Sequence, residues 1–395
     1  MNANIDEDGA NPPVARFQEM RTTPLIQHAN DYYFSVVRLS LDGPGRVLPL
    51  FIPLVQTGQK DPNLTIYGFS IKYQWTGLSP GTNPQPVSSP FFTQSQYVSF
   101  VPENSSLPVK APTILQDLSN AYYYLHSYSA FVDMVNACLQ SILSGLQSQF
   151  GAWFRAQYPA FQPPSIDPSI IPLLTYCPTS GLFSFTLNAQ AYQNGVSVSP
   201  YGFAQLFMNS ASYGLFANFP IAYTPSDPKL TYKLQVSSYL PIASSATSCP
   251  DGCKSTSSAS TVVKVTQDFI STSQLWSPID SIVFQSIFIP VLNEQTSAPV
   301  ALGTNNLEDG TKGGFTTIIT DLVTDQSRAD DNVGFLFYQP TGEYRLADLT
   351  VSDQPIQNID LTVCWKNRLT QELIPIPLYN LSSVGIKILF RKRSF

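Results

Sequence analysis

Charged side chains are scarce in this chain of 395 residues. Asp, Glu, Lys and Arg make up 12% of it, against about 25% in a typical soluble protein. Uncharged polar residues and proline replace them, and we infer that other subunits cover part of this surface. The net charge of −6 argues against a general nucleic-acid-binding surface, which needs a basic stripe.

Signals for catalysis and targeting are lacking too. The only histidines, His28 and His126, lie far apart in sequence, so Ser-His or Cys-His catalysis is not expected. No run of about 20 apolar residues exists, so we predict no membrane span. The first residues are polar and acidic, unlike a signal peptide, and synthesis in the cytosol is expected. The chain also lacks a phosphate-binding loop and a complete set of metal ligands, so we predict no cofactor and no metal.

One cluster of carboxylates is the strongest candidate for acid–base chemistry. It lies in a turn-rich stretch and consists of Asp321, Asp325, Asp330 and Asp331. Paired carboxylates can transfer protons, but carboxylates on a surface loop are usually only solvated. We therefore predict that the protein is not an enzyme, and a hydrolase that uses this cluster is the alternative.

Cysteine is limited to five positions. Cys138 and Cys364 lie in apolar stretches and are interpreted as small core residues. Cys249 and Cys253 flank Pro-Asp-Gly, a strong turn sequence that would bring two thiols close together. A local disulfide is possible there, free thiols are the alternative, and two cysteines are too few for a zinc site.

The longest stretch without proline runs over 113–158, although the chain contains 33 prolines. Apolar residues recur in it at every seventh position, namely Leu118, Leu125, Val132, Leu139, Leu146 and Trp153. This spacing predicts a long amphipathic helical segment. It either packs against a β-rich body or forms a coiled coil with another subunit, and the near absence of charged pairs favours the first.

The rest of the chain consists of short β-type runs separated by Pro, Gly, Asn and Ser. In the C-terminal part these runs follow one another at about ten-residue spacing, as in antiparallel sandwiches and barrels. The turn at 42–45 predicts a hairpin between the runs over 32–41 and 47–55, and the stretches 178–181 and 367–372 predict two more. We predict a mainly β protein with antiparallel strands.

Four segments follow from these patterns. Residues 1–30 are predicted to be a flexible arm, because acidic, Gly- and Pro-rich sequence rarely packs into a core. Residues 31–112 are predicted to form β strands and a Pro/Ser-rich loop, and 113–158 a helical insertion. Residues 159–395 are predicted to form a β-sandwich that is continuous with 31–112.

Two stretches carry a resemblance to a known group of proteins. They read RTTPLIQHANDYYFSVVRLSL followed by LPLFIP, and GEYRLADLTVSDQPIQNIDLTVCWKNRLTQELIPIPLYNLSSVGIKILFRK. Both resemble minor capsid or penton proteins of small eukaryotic DNA viruses: polinton-like viruses, virophages and adintovirus-type elements. The resemblance implies a jelly-roll β-sandwich located in the virion. It also implies assembly into homo-oligomers, for which a pentamer is one form, and contact with the major capsid protein.

The two termini carry opposite charge. An acidic arm, defined by Asp6, Glu7 and Asp8, contrasts with a basic tail, defined by Arg391, Lys392 and Arg393. We predict that these six residues make assembly contacts between subunits, with the tail as the one place where nucleic acid would bind.

The competing function is a carbohydrate- or receptor-binding β-sandwich module. Its binding platform would be built from tyrosines, namely Tyr122, Tyr123, Tyr124, Tyr192 and Tyr201.

Overall fold

The computed structural model describes residues 14–42, 48–109, 115–193, 201–224, 227–236, 242–243, 261–268, 272–292, 317–322, 335–339, 345–349, 353–378 and 383–393. The strands in chain order are β1 (Arg16–Met20), β2 (Tyr32–Asp42), β3 (Leu64–Gln74), β4 (Thr76–Leu78), β5 (Pro86–Ser88), β6 (Phe92–Ser99), β7 (Leu173–Cys177), β8 (Leu182–Asn188), β9 (Phe203–Met208), β10 (Ile221–Tyr223), β11 (Tyr232–Leu234), β12 (Ile242–Ala243), β13 (Thr261–Thr266), β14 (Ile279–Ser286), β15 (Thr317–Leu322), β16 (Phe335–Tyr338), β17 (Ala347–Asp348), β18 (Asn358–Asn367), β19 (Leu373–Pro375) and β20 (Ser383–Lys392). The α-helices are α1 (Tyr128–Gln157), α2 (Ala189–Gln193), α3 (Ser210–Leu215) and α4 (Ser273–Trp276), and short 3-10 helices cover Ala29–Asp31, Ala121–Tyr123 and Pro168–Ile170.

The chain divides into two compact units. Unit 1 comprises Met1–Ile52, Asp117–His126 and Ser277–Phe395, and unit 2 comprises Pro53–Gln116 and Ser127–Trp276. Unit 2 is thus inserted in sequence into unit 1. These boundaries do not coincide with the four predicted segments, since α1 shares a unit with strands on both sides of it, and β2 shares a unit with the C-terminal strands.

Unit 1 contains two antiparallel sheets. One has the order β1-β18-β14-β15, with β19 also paired to β18. In the other, β2 pairs with β20 along its whole length and with the short strands β16 and β17. Apolar residues of both sheets are buried, among them Phe34 and Leu39 on β2 and Phe284 and Trp365 on the first sheet.

Unit 2 combines antiparallel sheets with the long helix. One sheet has the order β10-β11-β9-β3-β6, another has the order β12-β13-β8-β7, and β4 pairs with β5. The predicted fold class, mainly β with antiparallel strands and one long helix, is confirmed.

Helix α1 packs into the core of unit 2, so the coiled-coil alternative is wrong. Its Asn136 side chain both donates to the carbonyl of Leu174 and accepts from the N–H of Leu174 on β7, at 2.9 and 2.8 Å. The rings of Phe150 and Phe154 lie 5.6 and 5.9 Å from that of Trp75. By length and composition α1 resembles a membrane-spanning helix, but Leu139, Ile142, Leu146 and Phe150 are fully buried inside the protein.

The helix begins at Tyr128 and not at residue 113 as predicted. Ser127 caps it by accepting from the N–H of Ser129, and Asn120 caps the preceding 3-10 helix by accepting from the N–H of Tyr122. Leu125 instead exchanges backbone hydrogen bonds with Phe51, at 2.9 and 3.1 Å. The capping residues supply local hydrogen bonds that compete with continuous helix, and the seven-residue spacing carries no information about them.

The hairpin predicted between the runs over 32–41 and 47–55 is wrong. Strand β2 pairs with β20, β16 and β17, while residues 48–55 make only single bridges, from Phe51 to Leu125 and from Val55 to Thr65. Pro49 and Pro53 have no N–H to donate, which prevents a regular ladder there. The other two predicted hairpins are confirmed as β7–β8 and β18–β19.

Part of the predicted N-terminal arm lies on a sheet. Strand β1 pairs with β18, and Ile26 bridges Ile356. Ala15 is buried and its N–H donates to the carbonyl of Ile376 at 2.8 Å. Residues 14–26 therefore belong to unit 1, and residues 1–13 lie outside the described part of the chain.

Candidate assembly surface

Strand β20 forms an open edge of its sheet. One side of β20 pairs with β2 over residues 383–392, and in the described part of the chain no strand pairs with its other side. Its inward side chains, such as Ile388 and Phe390, are only half-buried, although Phe390 packs on the buried Phe34 with ring centroids 5.0 Å apart. The unpaired N–H and C=O groups of such an edge are a template for another chain.

The β20 edge carries exposed positive charge. Lys387, Arg391 and Lys392 are all exposed, and within the described residues no carboxylate forms an ion pair with any of them. Lysine on an edge strand discourages indiscriminate pairing. Exposed cations of this kind favour contact with negatively charged groups.

Arg393, the third residue of the predicted basic tail, is held inside its own unit. Its Nη2 donates to Oδ1 of Asp348 at 2.7 Å, and its guanidinium carbon lies 4.6 Å from the centroid of the Tyr33 ring. Its backbone N–H donates to the carbonyl of Asp31 at 2.7 Å. These bonds fix the end of β20 against β2, so Arg391 and Lys392 remain as the exposed cations of the tail.

A buried carboxylate shapes a turn that the sequence did not reveal. Asp360 on β18 is completely buried. It accepts from Ser286 Oγ at 2.6 Å, from the N–H of Ile287 at 3.0 Å and from the N–H of Phe288 at 2.8 Å. Three donors to one carboxylate compensate for its burial. The only signal in the sequence is an Asp between the apolar residues Ile359 and Leu361 of a predicted strand.

The turn held by Asp360 presents apolar side chains to solvent. Ile287 and Phe288, which we call the apolar turn, are 69% and 44% exposed. Met20, 70% exposed, lies at the same end of the sheet, because it pairs with Asn358 at the start of β18. Exposed apolar groups on a rigid backbone are typical of protein-contact sites.

Several other predicted site residues fall outside the described residues, namely Asp6, Glu7, Asp8, Cys249 and Cys253. Among the described cysteines, Cys138 and Cys364 are buried thiols and Cys177 is half-exposed. Burial raises the pKa of Cys138 and of Cys364 to about 12, which makes both thiols unreactive at neutral pH.

The structure also describes part of the tyrosine platform and of the carboxylate cluster that the alternative functions would use. Tyr122, Tyr123, Tyr124 and Tyr192 are buried, so the predicted tyrosine platform is wrong for these four. Asp321 lies 3.6 Å from Arg345 in a half-exposed ion pair, and the other three carboxylates of its cluster lie outside the described residues. Among the residues that the structure describes, no group of three His, Cys, Asp or Glu side chains is placed to hold a metal ion.

An open strand edge can pair with another chain, and exposed apolar side chains can pack against one. Comparison with known proteins identifies the family of this chain. The sequence matches the family model of the Sputnik minor capsid protein V18/19 over residues 1–392. This chain belongs to that family.

Individual relatives agree with the family. The uncharacterized protein V18 of Sputnik virophage is 29% identical over 153 residues, which cover 37% of this chain and 80% of that protein. A chain in the cryo-EM structure of the Sputnik virophage has a TM-score of 0.63 at 21% identity, with 99% of this chain and 96% of that chain covered. The mavirus penton protein has a TM-score of 0.55 at 14% identity, with coverage of 97% and 92%.

These findings establish the class of the protein. It is a structural component of a virion, a viral capsid protein and not an enzyme. The resemblance to minor capsid and penton proteins noted in the sequence is confirmed.

Proposed function

We propose that this chain is a penton-type minor capsid protein that assembles with copies of itself and contacts the major capsid protein. The observation that carries the proposal is the open β20 edge, ten residues long and paired on one side only within the described residues. An edge of this length offers main-chain hydrogen bonds to a neighbouring copy, and a closed ring of copies uses each such edge once. A pentamer is the ring expected at a fivefold position.

The charged termini supply a second contact in this proposal. The acidic arm of one copy, Asp6, Glu7 and Asp8, lies near Arg391 and Lys392 of the next. Exposed pairs of this kind contribute only about 0–1 kcal/mol each, so they orient subunits and do not by themselves hold them together. The proposed contact between arm and tail is therefore expected to weaken as salt increases.

The apolar turn is the proposed contact with the major capsid protein. Asp360 fixes its backbone before any partner binds, so little conformational entropy is lost when Ile287 and Phe288 become buried. Each fully buried apolar side chain of this size is worth about 1.5–3 kcal/mol.

The test of self-assembly uses the mass of the full-length protein in solution. We expect a ring that dissociates more readily in Arg391→Glu/Lys392→Glu than in Lys264→Glu, a charge reversal at a half-buried lysine of β13. A protein that stays monomeric at high concentration, with and without the major capsid protein, would refute self-assembly.

The test of the second contact measures binding to the purified major capsid protein. The double variant Ile287→Ser/Phe288→Ser is expected to bind more weakly than Leu369→Ser, which removes an apolar side chain about as exposed as Ile287 from the turn between β18 and β19. Equal binding by the two variants would exclude the apolar turn from this interface.

A further inference from the structure

Unit 2 contains a half-open cavity of about 410 Å³, a volume typical of small-molecule sites. Strands β9, β10 and β11 and the end of α2 contribute its walls. The lining residues are Tyr192, Gln193, Phe203, Ala204, Gln205, Ala222, Lys233, Leu234, Gln235 and Val236. Nothing in the capsid function requires a cavity here.

The described lining of this cavity carries positive charge. Among the described residues, Lys233 is the one charged residue in the lining, and no described carboxylate lines the cavity. Within the described residues neither Lys233 nor Lys72 forms an ion pair. Burial, together with the positive charge of Lys72, lowers the pKa of Lys233. Lys72 lies on the same sheet, where its strand β3 pairs with β9, and its Nζ sits 4.6 Å from the centroid of the Phe91 ring. Two neighbouring cations without a counter-ion attract an anion.

The remaining polar side chains of the cavity are amides, apart from the Tyr192 hydroxyl, which already donates a hydrogen bond within the protein. Gln205 and Gln235 make no side-chain hydrogen bond within the described residues, whereas Gln193 is held in place because its Nε2 donates to the carbonyl of Val236 at 3.1 Å. Each free amide offers donors and an acceptor, which matches a hydroxyl group, itself both donor and acceptor. A sulfate has only acceptors and would leave the amide oxygens unused.

The aromatic side chain of the cavity provides an apolar wall. Phe203 is half-buried and is steadied by Phe91, with ring centroids 6.3 Å apart. The negative face of an aromatic ring attracts the weakly positive C–H groups of a saturated ring. A ligand with a carboxylate, several hydroxyls and one C–H face satisfies the cation, the amides and the ring together.

We propose that this cavity binds an acidic saccharide, with the carboxylate on Lys233, hydroxyls on Gln205 and Gln235, and the C–H face of the sugar against Phe203. The capsid protein then has a second activity, attachment to carboxylated glycans. This activity is separate from assembly, because every lining residue belongs to unit 2 whereas the proposed assembly contacts belong to unit 1.

The experiment measures binding of methyl glucuronide and of the methyl glycoside of N-acetylneuraminic acid to the full-length protein by ligand-observed NMR and calorimetry. Methyl glucoside is the uncharged comparison, and sodium acetate and sodium sulfate are the simple anions. Lys233→Gln removes the cation while keeping a polar side chain of similar length, and Lys264→Gln is the matched control, a half-buried strand lysine outside the cavity. The melting temperature of each variant is measured to check that it folds.

We expect at least one acidic sugar to bind, and Lys233→Gln to weaken it by about tenfold to a hundredfold, the range for a hydrogen bond to a charged group. Lys264→Gln is expected to leave binding unchanged. Absence of binding, equal binding of methyl glucoside, or equal loss in the two variants would overturn the proposal. Acetate or sulfate that binds as tightly as the acidic sugars would reduce the cavity to a simple anion site and would overturn the saccharide assignment.

Discussion

Asp360 and Ser286 are joined by a hydrogen bond of 2.6 Å inside the protein, 74 residues apart in sequence. The same carboxylate holds the N–H groups of Ile287 and Phe288. One buried acid thus connects β18 to the turn that follows β14 and sets the direction of two exposed apolar side chains.

Replacing this acid is expected to destabilise unit 1. Asp360→Asn keeps the shape of the side chain but replaces one acceptor oxygen by an NH2 donor. That donor faces Ser286 and the N–H groups of Ile287 and Phe288, so at least one of these buried donors loses its acceptor. We expect a loss of about 1–3 kcal/mol in the free energy of unfolding, measured by urea denaturation.

The matched control for that prediction is Asp280→Asn on β14. Its ion pair with Lys366, at 3.6 Å, is more than one-third exposed at the carboxylate, and such pairs contribute about 0.2–1 kcal/mol. Equal losses in the two variants would mean that burial of Asp360 has no special role.

Truncating a buried side chain of α1 is expected to destabilise unit 2. Leu139 is completely buried, and Leu139→Ala is expected to cost about 2–5 kcal/mol. Ser148→Ala, at an exposed position of the same helix, is expected to change stability by less than about 0.5 kcal/mol. Thermal unfolding gives the melting temperatures of the two variants. An unchanged melting temperature in Leu139→Ala would mean that this face of α1 is exposed to solvent.

The two arginines at the end of β20 are expected to behave differently. Arg393→Gln removes the contacts to Asp348 and Tyr33 and is expected to cost about 1 kcal/mol of stability. Arg391→Gln, at an exposed site, is expected to leave stability unchanged and to weaken assembly. Chemical denaturation and sedimentation separate the effects, and a reversal of the two outcomes would contradict the assignment of roles.

Alkaline pH is expected to destabilise the protein. Burial raises the pKa of Tyr67 to about 12, against 10.0 in the unfolded chain. Below pH 10 both states are protonated and no stability is lost. Between about pH 10 and 12 only the unfolded state ionises, so the free energy of unfolding falls. The melting temperature measured from pH 7 to 11 is expected to fall above pH 10. In Tyr67→Phe, which has no phenol to ionise at this position, the fall is expected to be smaller.

The cysteines are expected to differ in reactivity. Cys177 is half-exposed, whereas Cys138 and Cys364 are buried thiols with raised pKa. A thiol reagent at pH 8 is expected to label Cys177 in the folded protein and the buried pair only after denaturation. Peptide mass spectrometry of the same samples shows whether Cys249 and Cys253 are bridged, and rapid labelling of Cys364 in the folded protein would contradict its burial in unit 1.

The sequence predicted several strands and two local hairpins, but not the distant partner of β2. The alternating runs near Leu361 and Ile386 appear in the structure as β18 and β20, because alternation reflects which face is buried. The pairing of β2 with β20 joins residues such as Ser40 and Gly385, and no local pattern encodes a partner that far away. The sequence instead suggested the adjacent run as the partner of β2, where Pro49 and Pro53 prevent a ladder.

The functional features were predicted only where charge or composition marked them. Arg391 and Lys392 stood out as cations in a chain with few charges, and both are exposed. The apolar turn and the lysine cavity depend on residues brought together by the fold, since Asp360 meets Ser286 and Lys233 joins Gln205 only in three dimensions. Such sites leave no spacing pattern in the chain.

The pairing of β2 with β20 also orders events during synthesis on the ribosome. All of unit 2 lies between these two strands in sequence, so unit 2 can complete its core while β2 still has no partner along that side. The two paired segments are 345 residues apart at Ser40 and Gly385, a wait of about 20–70 s at about 5–20 residues per second. The edge proposed for assembly is therefore among the later parts to form, and a nascent chain does not offer it to a neighbouring copy prematurely.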